Sequence, residues 1–213
     1  MDIVFAIVVV VAGYALYRVF RKAGRKRRER LIDSYRFPER ITNKIVEKYP
    51  HLSPPQAALA IDGLREYFHV CNVAGNRMVS MPSQVVDVAW HEFILFTRQY
   101  QNFCRAALGR FLHHTPAEAM TAPTIAQEGI KRAWKIACHR EKIAPKSPDR
   151  LPLLFALDTQ LAIPDGFSYS LNCKRAATDP GYCAGHIGCG SGCGSCSSCG
   201  GDSGGCGGGC GGD

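Results

Sequence analysis

Apolar and polar positions fall into three regimes along the chain. From Ile3 to Tyr17 there is no charged side chain, and after Arg18 the apolar pair Val19-Phe20 follows. From Leu31 to about Ile163 apolar residues recur at helical spacing. Beyond Asn172 few apolar side chains remain, among them Tyr182, Ala184 and Ile187.

The first regime predicts a helix over Ile3–Phe20, which rises roughly 27 Å at about 1.5 Å per residue and nearly spans a hydrocarbon core of about 30 Å. Arg18 can snorkel to the interface, and Tyr14 and Tyr17 suit the headgroup level. A cleaved signal peptide would need a positive n-region, and the nearby side-chain charge here is Asp2. A buried core helix would not carry a basic run directly behind it.

The middle regime predicts helices with readable starts. Phe37-Pro38-Glu39-Arg40 opens a short one with Ile41, Ile45 and Val46 on one side. Ser53-Pro54-Pro55-Gln56 is a capping box with proline at the first helical position. The stripe Ala57, Ala60, Ile61, Leu64, Tyr67, Phe68, Cys71 follows and ends before Asn72–Gly75. Met81-Pro82-Ser83 leads into a helix predicted to be continuous from Gln84 to Leu108. One arc of it holds Val86, Ala89, Trp90, Phe93, Phe96, Tyr100, Phe103, Cys104 and Ala107, and the other holds Gln84, Asp87, His91, Arg98 and Asn102. Thr115-Pro116-Ala117-Glu118 is a second capping box, with a short turn to Pro123. Thr124 then caps Ile125–Glu141, and Leu151–Leu161 packs back as a short helix or extended segment within a proline-rich loop. No alternating strand stands out. The expected fold is all-α: an N-terminal transmembrane anchor (1–20), a basic juxtamembrane segment (21–30), a domain of four or five helices (31–166) and a Gly/Cys-rich tail (167–213).

Charge sharpens the topology. Residues 18–30 contain eight basic residues and one acidic residue, whereas the remainder holds 18 basic and 17 acidic residues. The net charge of +8 therefore sits beside the apolar helix, and a global basic face for nucleic acid is not supported. By the positive-inside rule, Arg21, Lys22, Arg25, Lys26, Arg27 and Arg28 place the C-terminal side in the cytoplasm and contact anionic lipid headgroups. The expected location is the cell inner membrane, single-pass, with the N-terminus outside.

One segment of the middle carries candidate chemistry. Asp87 and His91 are four apart and share a helix face. His113 and His114 follow the helix and can be brought back toward it by a turn at Gly109. Asp87, His91 and one or both of these histidines could hold zinc or iron with one position open. The alternatives are a solvent-facing or capping pair and a contact for a protein partner.

The string Val-Asp-x-x-Trp-His at Val86–His91, with Tyr100, Cys104 and the Phe111–Pro116 stretch, resembles the glycine-rich domain-containing protein-like family. The resemblance covers Pro82–Pro116 clearly and Arg36–Cys138 loosely, and it suggests a bacterial, membrane-anchored member. Plant members often carry a second histidine two residues after the first, where this chain has Phe93. The resemblance implies a small helical domain coupled to a glycine-rich region and implies no reaction.

Fifteen of the 22 glycines and seven of the 11 cysteines lie in the last 33 residues. Such a segment buries too little apolar surface to offset chain entropy and is expected to be disordered unless metallated or crosslinked. Cys183, His186, Cys189, Cys193, Cys196, Cys199, Cys206 and Cys210 are candidate ligands for zinc or another thiophilic metal, since the two-residue gaps let neighbouring thiolates converge. A reducing compartment disfavours disulfides. A merely flexible tail and a chemically modified or exported one are the other readings.

These features point to a membrane-tethered cytoplasmic binding or scaffold protein with a metal-binding tail. The alternatives are a metal-dependent enzyme using Asp87, His91, His113 and His114, and a precursor whose tail is processed. A phosphate-cradling glycine loop, a serine-nucleophile elbow and a Rossmann fingerprint are absent from the sequence.

Overall fold

The computed structural model describes residues 2–114, 123–171, 182–183 and 187; the side chains of 2–4, 6, 123–126, 182 and 183 lie outside that description. Among the described residues the protein is helical: α1 (Asp2–Ser34), α2 (Glu39–Lys48), α3 (Pro54–Ala74), α4 (Gln84–Leu95), α5 (Thr97–Phe103), α6 (Pro123–Arg140) and α7 (Leu153–Gln160). A π-helical turn, Cys104–Leu108, continues α5. The one departure from an all-α fold is a two-residue parallel pairing of β1 (Tyr169–Ser170) with β2 (Tyr182–Cys183). The Thr115 capping box and its turn lie outside the described residues.

α3 is the central helix. Its capping box forms, with Gln56 Oε1 accepting from the Ser53 backbone N–H at 2.9 Å. The stripe from Ala57 to Cys71 is buried except for half-buried Ile61, and the helix runs on to Ala74 rather than stopping before Asn72. α1, α2, α4, α6 and α7 all pack on it. Gly63 permits the closest of these approaches: a Cβ there would stand 2.8 Å from Val86 Cγ2 of α4 and would also collide with Leu157 of α7.

The continuous helix expected over Gln84–Leu108 is broken at Phe96, whose φ of −80° and ψ of 56° leave the helical region. The break allows Phe93 on α4 and Tyr100 and Phe103 on α5 to face one core. The rings of Tyr35, Phe37, Phe68, Tyr100 and Phe103 stand 5.2–6.1 Å from that of Phe93, in the edge and tilted arrangements that aromatic quadrupoles favour. A second ring set joins Trp134 of α6, Phe155 of α7 and Tyr169.

α1 is longer than the sequence suggests. It runs unbroken from the apolar stretch through the basic run and ends with Ile32 fully buried in the core. Arg65 of α3 closes this end, donating to the carbonyls of Ile32, Asp33 (3.0 Å) and Tyr35 (3.1 Å). Among the described residues no helix is long and apolar enough to cross a membrane. The described apolar side chains run unbroken only over residues 7–17 before Arg18, roughly 17 Å of helix. The expected span begins at Ile3, whose side chain lies outside the description.

A buried carboxylate joins the far ends of the domain. Asp158 of α7 accepts from Ser83 Oγ (2.7 Å) and from the backbone N–H groups of Gln84 (2.7 Å), Val85 (3.2 Å) and Phe167 (2.9 Å). Three of these donors open α4, where amide groups have no partner inside the helix and negative charge is favoured. Asp158→Ala is expected to cost about 3 kcal/mol of unfolding free energy, roughly 6–12 °C in Tm. Helical circular dichroism on heating measures this, and an unchanged midpoint would show that α4 does not depend on the carboxylate.

His69 of α3 is buried, with Nε2 at 2.7 Å from Asp33 Oδ1 of α1 and Nδ1 unpartnered among the described residues. Burial, aided by the nearby Arg140 guanidinium, lowers its pKa against the opposing pull of Asp33. Below the ordinary histidine value of about 6.5 the unfolded chain takes up this proton first. Stability is therefore expected to fall as pH drops through that value toward the lower folded pKa. The fall should be shallower in His69→Gln, and parallel pH profiles of unfolding for the two proteins would rule the effect out.

Candidate metal centre

Asp87, His91 and His114 converge at one end of α4. Asp87 lies in the first turn of the helix, where the dipole favours a carboxylate, and His91 follows one turn on. Asp87 Oδ2 stands 3.4 Å from His91 Nδ1, and Oδ1 stands 3.1 Å from His114 Nε2. The two imidazoles lie with centroids 4.1 Å apart. One donor atom from each of the three lies within 4.8 Å of the others.

These separations suit a single ion. Donors about 2.1 Å from a metal stand roughly 3.0 Å apart at the edge of an octahedron and roughly 3.4 Å apart at that of a tetrahedron. Exposure is graded: the His91 side chain is 51% exposed, that of Asp87 20% and that of His114 14%. Two ligands are thus set into the protein wall and one lies at its rim, so an ion here would keep a side open to solvent.

His114 arrives by a long-range device. Gly109 adopts a left-handed conformation (φ 71°) after the π-helical turn and reverses the chain. Buried Trp90 then donates from Nε1 to Tyr100 Oη at 3.1 Å, and the Tyr100 hydroxyl donates to the Leu112 carbonyl at 2.5 Å. That bond fixes residues 111–114 over the start of α4, where the Trp90 and His114 rings meet edge to face at 4.6 Å. Burial pushes the Tyr100 pKa well up, so the phenol stays a donor. Trp90 and His91 of the Val-Asp-x-x-Trp-His string thus have separate tasks: Trp90 positions the loop that returns the second histidine, and His91 faces Asp87.

Of the four residues read from sequence, three are brought together. His113 points elsewhere, its ring packing on Phe111 at 4.8 Å, and it does not join the cluster. Phe93, where plant members of the resembling family carry a histidine, is fully buried in the aromatic core; a histidine there would not reach Asp87. Apolar spacing alone places Tyr100 in the core arc and does not reveal its positioning role. The need of a buried indole N–H for an acceptor is the signal that points to it.

The remaining candidates are placed as follows. Arg21, Lys22, Lys26 and Arg27 are exposed on α1, Arg25 pairs with Glu29 at 3.2 Å, and Arg28 lies over Gly109. Of the tail candidates, Cys183 sits in β2, while His186, Cys189, Cys193, Cys196, Cys199, Cys206 and Cys210 lie outside the described residues. Cys71, Cys104 and Cys138 are buried free thiols, and burial pushes the pKa of Cys71 and of Cys138 up to about 12. They are poor thiolates and poor ligands.

A family model described as UCP032817-like matches residues 27–187, and the chain belongs to that family. No curated protein and no solved structure matches it.

Replacing Tyr100 by Phe leaves the Trp90 N–H and the Leu112 carbonyl without their partner. The expected loss is about 2 kcal/mol, together with faster amide exchange at residues 111–114 than at α3. Hydrogen-exchange mass spectrometry reads both, and unchanged protection of 111–114 would break the proposed chain of contacts.

Proposed function

We propose that this member of the UCP032817-like family is a membrane-tethered helical module that holds a divalent first-row transition metal on Asp87, His91 and His114. The observation that carries the reading is the convergence of two imidazole nitrogens and a carboxylate at separations of 3.1 and 3.4 Å on a partly open face. Two imidazoles and one carboxylate suit zinc or iron, and three protein ligands leave positions for water or a bound group. There the ion would act as a Lewis acid or as an anchor for a ligand from solution. The kinship of the Val-Asp-x-x-Trp-His string with the glycine-rich domain-containing family would then rest on the device that returns His114, and not on the histidine replaced by Phe93.

The tether is supported by the exposure of α1. Phe5, Val10, Val19 and Phe20 are 71%, 70%, 63% and 67% exposed, and among the described residues every position from 7 to 20 is exposed. A helix that is apolar all round belongs in a core or in lipid, and this one stands clear of the core. The basic run behind it places the domain on the cytoplasmic side and against anionic headgroups. The tail from Cys183 to Cys210 adds a separate, softer donor set for zinc or a similar ion.

One preparation tests both parts. The full chain is expected to stay with membranes through high salt and alkaline carbonate and to need detergent for release; release by carbonate would overturn the tether. Elemental mass spectrometry of the detergent-solubilised, anaerobic, reduced protein is expected to find a metal that survives serine substitution of the tail cysteines. The same metal should be lost in His91→Ala and His114→Ala and kept in His113→Ala. Metal content indifferent to His91 and His114 would overturn the centre.

A further inference from the structure

A second concavity, outside the Asp87 centre, is lined by cations from three parts of the chain. Arg25 of α1, Arg77 just beyond α3, and Lys131, Arg132, Lys135 and Arg140 of α6 surround a cavity of about 790 Å³. Among the described residues Glu128 is the one carboxylate in its lining. Lys131, Arg132 and Lys135 share one face of α6, roughly opposite Ala133 and Ala137 in the core, and Arg140 lies at the edge of that arc, two turns on.

The arginines are held in place. Arg140 is gripped by Glu66 through two bonds of 2.5 and 2.9 Å. Arg132 donates to the Met78 carbonyl and lies 3.5 Å from Glu128. Arg77 donates to the Ala74 carbonyl at 3.2 Å, and Arg25 pairs with Glu29 at 3.2 Å. Lys131 and Lys135 make no hydrogen bond or ion pair among the described residues. They are like charges four residues apart on a helix, an arrangement that destabilises unless a counter-charge sits between them. Arg25, Arg132 and Arg140 are each paired with a carboxylate, so the positive charge left without an ion pair among the described residues is that of Arg77, Lys131 and Lys135, a set that suits a compact group of several negative charges.

We infer that this cleft is a binding site for a phosphate-bearing ligand, with Lys131 and Lys135 as its principal charge partners. Among the described residues the lining holds no Phe, Tyr or Trp on which a nucleic-acid base could stack, and its aromatic ring is the imidazole of His139. A phosphate group could come from solution or from a lipid. Arg25 lies five residues past Phe20, about 7.5 Å along α1, so the cleft opens at headgroup height. The lipid source rests on the proposed tether; the soluble source does not.

The test uses the full chain in neutral detergent, with pyrophosphate as the soluble probe followed by calorimetry. A parallel set uses nanodiscs of phosphatidylcholine with or without phosphatidylglycerol, in which the phosphatidylglycerol dependence of amide-exchange protection along α6 is read. Lys131→Ala/Lys135→Ala is expected to weaken the response about tenfold or more. Arg98→Ala/Arg105→Ala removes the same charge from exposed positions outside the cleft and should change it less than about twofold. Pyrophosphate binding lost with the lysines supports a soluble ligand, and a phosphatidylglycerol response lost with them supports a lipid one. No response to either probe, or an equal loss in the two double variants, would overturn the site. Metal content and membrane retention, measured on the same samples, show separately whether the metal and tether readings hold.

Discussion

The carboxylate of Asp158 is the interaction on which the positions of the other parts depend. It is 2% exposed, and its four donors come from the first residues of α4 and from the segment leading to β1. Without partners, a carboxyl group would be costly to bury in such a place. Four hydrogen bonds and the positive end of a helix make it tenable. The direction of α4 is set at this cap, and α4 carries Asp87, Trp90, His91 and Phe93. The Asp87 cluster and the aromatic core therefore both take their position from one buried carboxyl group, and Gly63 lets α3 come close to Val86 and Leu157 beside it. Gly166 serves the same end, since a Cβ there would stand 2.7 Å from that of Asp158.

Much of the fold was legible because it is local. Capping boxes, prolines at helix starts and apolar stripes at helical spacing announced α2, α3 and α6 within a few residues of their ends. The wheel that placed Asp87 and His91 on one face relied on the same regularity. The break at Phe96 carried no glycine or proline to announce it, so α4 and α5 read as one helix. What forces the break is the demand of Tyr35, Phe37, Phe68 and Phe103 for a common core, a condition visible only once the chain has folded.

The histidine pair shows where local reading stops. His113 and His114 are adjacent and alike in sequence. Their separation into an outward ring on Phe111 and an inward ring beside Asp87 follows from the Tyr100–Leu112 hydrogen bond, twelve residues apart in sequence. Asp158 lay hidden for a similar reason: it sits in an apolar stretch 75 residues from the serine it binds. The basic face of α6 could have been read from spacing alone, but its partners Arg25 and Arg77 come from elements that sequence does not connect.

The uninterrupted course of α1 has a consequence for motion. A domain joined to its anchor by a loose linker explores a hemisphere. Here the exposed apolar stretch and the buried Ile32 belong to one helix of 33 residues, and Arg65 binds its end to α3. Twist and tilt of the outer end are carried rigidly into the domain. Were that end held in lipid, as proposed, the domain would still spin about the helix axis and drift in the plane, but it would not turn over. The search for a partner there would then fall from three dimensions of orientation to about one.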